Sequence, residues 1–217
     1  MGKADVVKKW KPELKAMGFV YRDNMFQFGE TIDQCLQFTI SIQRNLHSDT
    51  YMIHVAILIK TPFLEGSRQV LVSGKLRPNG VYLHVLNENW WPSESLPEAL
   101  AALKRYALPW FREWGEPVFL VEKHEVAICQ RKYLFEVFEP LTSEQHEAFA
   151  RLWNRPVVNE IRIPPSVFFH ASILHYLAGN REMAIVRTKD WLAHLGPSEE
   201  REREQARAQL NSLERIH

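Results

Sequence analysis

Histidine, serine and acidic side chains are the residues here that can do chemistry, and their spacing limits what that chemistry can be. Ser41 and His54 are the one Ser/His pair that an inferred hairpin sets opposite each other. A nucleophilic triad also needs an orienting acid and an oxyanion hole, and neither a Gly-x-Ser-x-Gly elbow nor a third member is evident. His170 and His175 are five apart, off the one-turn spacing that puts two imidazoles on one helix face. His124-Glu125 and His146-Glu147 each lack the second histidine of a His-Glu-x-x-His pattern. The nine glycines form no phosphate-binding loop, and Cys35 and Cys129 are too isolated for a disulfide framework or a zinc cluster. No catalytic residue, cofactor or metal is therefore called for.

Two groups of residues are left as candidate surfaces. The first is a strand face carrying Gln37, Thr39, Ser41 and Gln43, with His54 beside it and Tyr82 and His84 on a later strand. Read functionally, this is a hydrogen-bonding platform for a peptide or small ligand. Read structurally, it is the wet side of an antiparallel sheet, or a face lying under the C-terminal helices. The second is the stretch from Asn87 to Gly115, which holds four of the seven tryptophans: Trp90, Trp91, Trp110 and Trp114. Tryptophan buries a large area at low side-chain entropy, so such a run is either a packing seam or a recognition surface. Packing is the expected role, with Trp90 or Trp91 turned outward. Gln43, His54, His84, Trp90 and Trp91 are the candidate ligand or partner residues.

The elements that must position these residues follow from periodicity. Val6, Val7, Trp10, Leu14 and Met17 share a helix face, closed by Gly18. Phe19–Arg22 and Met25–Phe28 flank Asp23-Asn24, a pair suited to a two-residue hairpin with Tyr21 facing Phe26 and Phe19 facing Phe28. Leu36, Phe38, Ile40 and Ile42 alternate with polar residues, and Ile53, Val55, Ile57 and Ile59 do so in the next segment. One antiparallel register sets Ile42 on Ile53, Ile40 on Val55, Phe38 on Ile57 and Leu36 on Ile59. Residues 61–80 read as irregular, with at most a short edge strand at Val70 to Val72, and Val81 to Leu86 as a further strand. The sheet is expected to hold four or five strands.

Ser95-Leu96-Pro97-Glu98 fits a capping box, and the helix it opens should kink near Leu108 because Pro109 removes a donor. Residues 116–140 read as short helix or strand, and Thr142-Ser143-Glu144-Gln145 as another cap, before Phe149, Leu152 and Trp153. After a linker at Pro164-Pro165, two helical patterns flank Gly179-Asn180, an αα-hairpin with a partial likeness to the turn of tetratricopeptide repeats. The segment from Ser198 is a charged helix with a narrow apolar stripe of Ala206, Leu210 and Leu213.

Composition sets the class. An apolar fraction of 46% with 24% charged residues is ordinary for a globular chain of 217 residues. A net charge of +1, with both signs interleaved, provides no field for a nucleic-acid backbone or an anionic membrane. No apolar run is long enough to span a bilayer and no signal-peptide pattern opens the sequence, so cytoplasm is the expected compartment.

Gly18-Phe19 after an amphipathic helix, Phe26, the strand ending Ile42-Gln43, Gly74-Lys75-Leu76, Trp90-Trp91 after Asn89, and Leu108-Pro109-Trp110-Phe111 resemble the bacterial family catalogued as domain of unknown function 4304. The likeness covers roughly Val6 to Val121. It implies a unit of helix, antiparallel sheet and helix, and carries no activity, ligand or catalytic set. His54 stands where that family leads one to expect Asn.

These readings make the chain an α+β protein, with a sheet domain at 1–121 and a helical C-terminal extension at 122–217. The expected function is a non-enzymatic module, immunity-like or adaptor-like, whose partner is another protein and neither nucleic acid nor membrane. The alternative is a small-ligand-binding protein or enzyme using the sheet face around His54 and His84.

Overall fold

The structure, a computed structural model, describes residues 2–29, 35–63, 68–83, 90–132, 134–138, 142–144, 147 and 163–215. It has the expected α+β class: an antiparallel sheet with helices, then a helical C-terminal part. The chain divides into two compact units, Met1–Lys60 with Arg68–Gly115, and Thr61–Ser67 with Glu116–His217. The boundary thus falls at Gly115 rather than at residue 121. Pro117 begins an uninterrupted helix, α4, that runs to Gln130 and resolves the ambiguous segment as helix.

In the first unit, α1 (Lys3–Ala16) buries Val6, Val7, Trp10 and Leu14 on one side. Strands β1 (Phe19–Arg22) and β2 (Met25–Phe28) pair in the expected register, and Asp23 and Asn24 both have positive φ, as a tight two-residue turn demands. Next, β3 (Leu36–Arg44) and β4 (Thr50–Lys60) pair over nine residues, including Leu36 with Ile59, Phe38 with Ile57, Ile40 with Val55 and Ile42 with Ile53. The sheet grows outward from this ladder. Phe26 joins β2 to Ile40 of β3, and β5 (Arg68–Arg77) joins the other side of β4.

With β6 (Gly80–Tyr82) and the two-residue β7 (Trp91–Pro92), the sheet has seven strands among the described residues, where four or five were expected. Where a short edge strand was expected at Val70 to Val72, β5 is ten residues long and lies inside the sheet, between β4 and β6. Its alternation is hidden because the register slips by one residue between Ile57 and Leu58, adding Leu71 as a bulge. Of the further strand expected at Val81 to Leu86, Val81 and Tyr82 belong to β6, and residues 84–86 lie outside the described set.

The helix after β7 runs as α2 (Leu96–Ala102), a π-helical turn (Leu103–Ala107) and α3 (Leu108–Trp114). Leu96, Ala99, Leu103, Ala107, Trp110 and Phe111 are buried along it. The expected capping box does not form: Ser95 has φ −88° and ψ 12° and makes no side-chain cap, because a 3-10 turn at Ser93–Ser95 leads directly into the helix. The disturbance expected at Pro109 takes the form of the π-turn. Leu108 N–H reaches back five residues to the Leu103 carbonyl, a widened turn that lets the helix continue past a residue with no amide donor.

The second unit is helical: α4, α5 (Leu134–Phe138), α6 (Pro165–Leu177), α7 (Arg181–His194) and α8 (Glu200–Arg215). Pro165 is the first residue of α6 rather than part of a linker, a position where its missing N–H costs nothing. The αα-hairpin is present as α6 and α7, with Gly179 at φ 78° and the Asn180 side chain accepting the Met183 N–H at 3.1 Å. Residues Val167 to His175 of α6 are all buried. Single stripes face inward elsewhere: Ala184, Thr188 and Trp191 on α7, and Ala206, Gln209 and Leu213 on α8. Polar groups align them, since Ser172 Oγ and Thr188 Oγ1 lie 2.6 Å apart and Gln209 Nε2 donates to Ser172 at 2.8 Å. Of the cap at Thr142, Ser143 and Glu144 are helical. Phe149, Leu152 and Trp153 lie outside the described residues.

Gly115 tests the packing under the sheet. A Cβ there would sit 2.2 Å from Phe38 Cζ and 2.5 Å from the Phe111 carbonyl oxygen, while Phe38 and Phe111 stack at 5.0 Å. Gly115→Ala is expected to destabilise the first unit by about 1–3 kcal/mol through overpacking. Gly179→Ala, with nothing within 4 Å, should lose only the roughly 1–2 kcal/mol of a left-handed residue. Urea unfolding of the two variants gives the comparison.

Candidate functional site

The two strands that frame the polar sheet face bring Ser41 opposite His54, as expected. The imidazole does not turn to the hydroxyl. His54 Nε2 lies 3.3 Å from Gln43 Oε1, and across the sheet His54 pairs with Lys75. Partial burial, and then the positive charge of Lys75, lower the His54 pKa. The groups around His54 are thus an amide and a cation, the reverse of the carboxylate that would make it a strong base. The polar face is also less wet than its composition implies: Gln27, Gln37 and Thr39 are buried, Ser41 and His54 are half-buried, and Gln43 is exposed. Thr39 Oγ1 donates to the Ala56 carbonyl at 3.3 Å. Tyr82 stands under the Arg77 guanidinium at 4.8 Å, and His84 lies outside the described residues.

The tryptophan doublet makes a more developed site. Trp91 pairs with Tyr51 at the start of β4, and its indole N–H donates to the Leu76 carbonyl of β5 at 2.9 Å. With that donor satisfied, the ring is buried to 5% exposure. Trp90, one residue earlier, is half-buried. Ser93 ties the exit of β7 to the hairpin loop: its N–H donates to the Asp49 carbonyl at 3.1 Å and its hydroxyl to Asp49 Oδ2 at 2.6 Å. That hydroxyl bond is the first cause holding the Asp49 carboxyl below its usual pKa.

From this anchor the helix leads away with Ser95, Glu98, Ala101, Ala102, Arg105 and Tyr106 at helical spacing, and these residues line a cleft of about 530 Å³ together with Pro78, Trp90, Trp91 and Pro92. The walls are aromatic and prolyl, the two alanines leave room, and Glu98 and Arg105 are the charged groups. The Arg105 guanidinium lies 5.4 Å from the centre of the Tyr106 ring. Both residues come from the π-turn, a distortion often found at functional sites. A half-open apolar cleft with few polar groups suits binding better than bond-making. The chain matches no family model, no curated protein and no solved structure.

Trp90 and Trp91 therefore share a cleft with side chains that the sequence reading passed over. The signal was available in the run Ser95, Glu98, Ala102, Arg105, a second helical face of small and polar residues. Trp110 and Trp114 do share a helix face, with ring centres 4.8 Å apart.

A second cluster lies in the helical unit, where the separated sequence motifs converge. Glu125 accepts from His175 Nε2 at 2.8 Å and from Arg187 Nε at 2.7 Å, with a further bond from the other Arg187 nitrogen to its second oxygen. Arg187 also donates to Asp190 at 2.7 Å. Burial alone would raise the Glu125 pKa, but these bonds outweigh it and keep the carboxylate ionised, while the bond to Glu125 raises Arg187. A base so fully engaged has a structural task.

Beside it, His124 is fully buried and donates through Nδ1 to the Leu120 carbonyl at 2.8 Å, and the His170 ring packs 6.0 Å away at a steep angle. Burial lowers His124 to about 4 and His170 to about 3. No group of three or more metal-ligating side chains forms among the described residues.

Both imidazoles have folded-state pKa values below their unfolded value of about 6.5. Their contribution to stability is therefore complete above pH 6.5 and is lost as pH falls through about 4 for His124 and about 3 for His170. The melting temperature is expected to drop over that window, and His170→Leu should flatten the slope. A wild-type melting temperature unchanged between pH 7 and pH 4 would contradict neutral burial of the pair.

Proposed function

We propose that this protein is a non-enzymatic binding module that takes an apolar segment of another polypeptide in the Trp90–Trp91 cleft. The observation that carries the reading is the combination of a volume near 530 Å³ with a lining of Trp90, Trp91, Tyr106, Pro78 and Pro92 and two alanines. Aromatic residues around a pocket fit the chemistry of interface hot spots, where one or two anchoring side chains of the partner are fully desolvated. Because the cleft is half-open, it leaves a bound molecule partly in water. That suits a segment of chain better than a free small ligand, which such sites bury by roughly 70–90%. An immunity-like or adaptor-like role is the biological form this reading takes. The sequence resemblance of the sheet unit to the domain of unknown function 4304 family adds no activity to this reading.

The second reading, a ligand site or enzyme on the sheet face around His54, is left with little to support it, because Gln43 and Lys75 are the neighbours of that histidine.

Peptide selection from a random displayed library tests the proposal. Wild-type protein is expected to enrich peptides with apolar anchor residues, and Ala101→Arg, at an exposed helix position on the cleft, should weaken them at least tenfold while leaving the circular dichroism spectrum unchanged. Failure to enrich any peptide, or equal binding by the variant, would count against it.

A further inference from the structure

The cleft has a charge arrangement as well as an apolar lining. Glu98 and Arg105, the charged residues of its lining among the described residues, are both exposed and stand seven residues apart on one helix. At 1.5 Å per residue, seven residues correspond to about 10 Å along the axis. Trp90, Trp91, Tyr106 and the two prolines line the same cleft. An occupant that uses both charges must present a cation and an anion on one side, about 10 Å apart, with an apolar body between them.

A polyproline II segment does this with the fewest residues. It repeats every three residues at about 3.1 Å each, so side chains at i and i+3 lie on one face about 9 Å apart. An α-helix needs a seven-residue separation to span the same distance, and a β-strand alternates faces with every residue. The body of a polyproline II helix is a ridge of pyrrolidine rings that packs on aromatic faces, and its backbone is already extended before binding, so little conformational entropy is lost. Ala101 and Ala102 add small side chains to the lining, which leaves room for such a ridge.

We infer that the cleft recognises a proline-rich segment in polyproline II conformation that carries a basic and an acidic residue three positions apart, the basic one meeting Glu98 and the acidic one Arg105. This rests on the reading of the cleft as a polypeptide-binding site and specifies its ligand.

The test uses the full-length protein and four synthetic peptides, with binding followed by tryptophan fluorescence and calorimetry. Three are octaproline-like peptides in which the two positions three apart are Lys and Glu, both Lys, or both Glu. The fourth is a proline-free peptide of equal length with phenylalanine and leucine anchors. The Lys/Glu peptide is expected to bind roughly fivefold more tightly than either like-charged one, the size of one or two exposed ion pairs. Glu98→Lys, a surface change, should reverse the ranking so that the all-Glu peptide binds best. Equal binding of the three proline peptides, or an unchanged ranking in the variant, overturns the charge assignment. Binding of the proline-free peptide alone overturns the polyproline inference while leaving the cleft a polypeptide site, and binding of none of the four contradicts both.

Discussion

The antiparallel ladder between Leu36–Arg44 and Thr50–Lys60 is the constraint from which the first unit is built. Side chains alternate strictly along a strand, so its nine-residue register sends Ile40, Ile42, Ile53, Val55, Ile57 and Ile59 to one buried face. A slip of one residue between the two strands would turn the apolar set of one of them to the opposite face. Every other strand takes its position from this pair: Phe26 is placed by Ile40, β5 by the far edge of β4, and Trp91 by Tyr51. The cleft follows from the last of these, because the strand that carries Trp91 also sets where the next helix starts.

The helix brings a second constraint. Pro109 removes a backbone donor three turns after the helix begins, and the chain answers with a widened turn rather than a break. Leu103 and Ala107 of that turn face the core, while Arg105 and Tyr106 reach the cleft. One distortion thus serves packing on one side and lines the cleft on the other. In the helical unit the polar residues serve geometry. Ser172, Thr188 and Gln209 bond across three helices, and Arg203 caps the end of α7 by donating to the Leu195 and Gly196 carbonyls.

Much of this was legible in the sequence, and for physical reasons. The Asp23-Asn24 turn and the double alternation of β3 and β4 have one low-energy solution each, so their registers could be written down residue by residue. β5 was read as a three-residue edge strand because a bulge interrupts its alternation and Gly74 contributes no side chain to it. The capping box at Ser95 was misread since the motif says nothing of the 3-10 turn before it. Polarity misled at Gln37 and Thr39, which are buried although their pattern reads as a wet face. Trp90 and Trp91 stood out by type alone. Arg105 and Tyr106 did not, since their place on the cleft depends on the π-turn and on a helix direction set by β7, neither of which is a local property. The Glu125–His175–Arg187 cluster joins residues 50 and 62 positions apart, beyond the reach of any local spacing rule.

The central claim, that the cleft beside the tryptophan doublet is the binding surface, is tested most directly by nuclear magnetic resonance of the protein labelled with nitrogen-15 at its tryptophan indoles. On titration with a selected peptide, the Trp90 resonance is expected to shift most, while Trp91, buried and bonded to the Leu76 carbonyl, moves little and exchanges slowly with solvent. Saturable binding that leaves Trp90 unmoved would place the partner surface elsewhere and contradict the account.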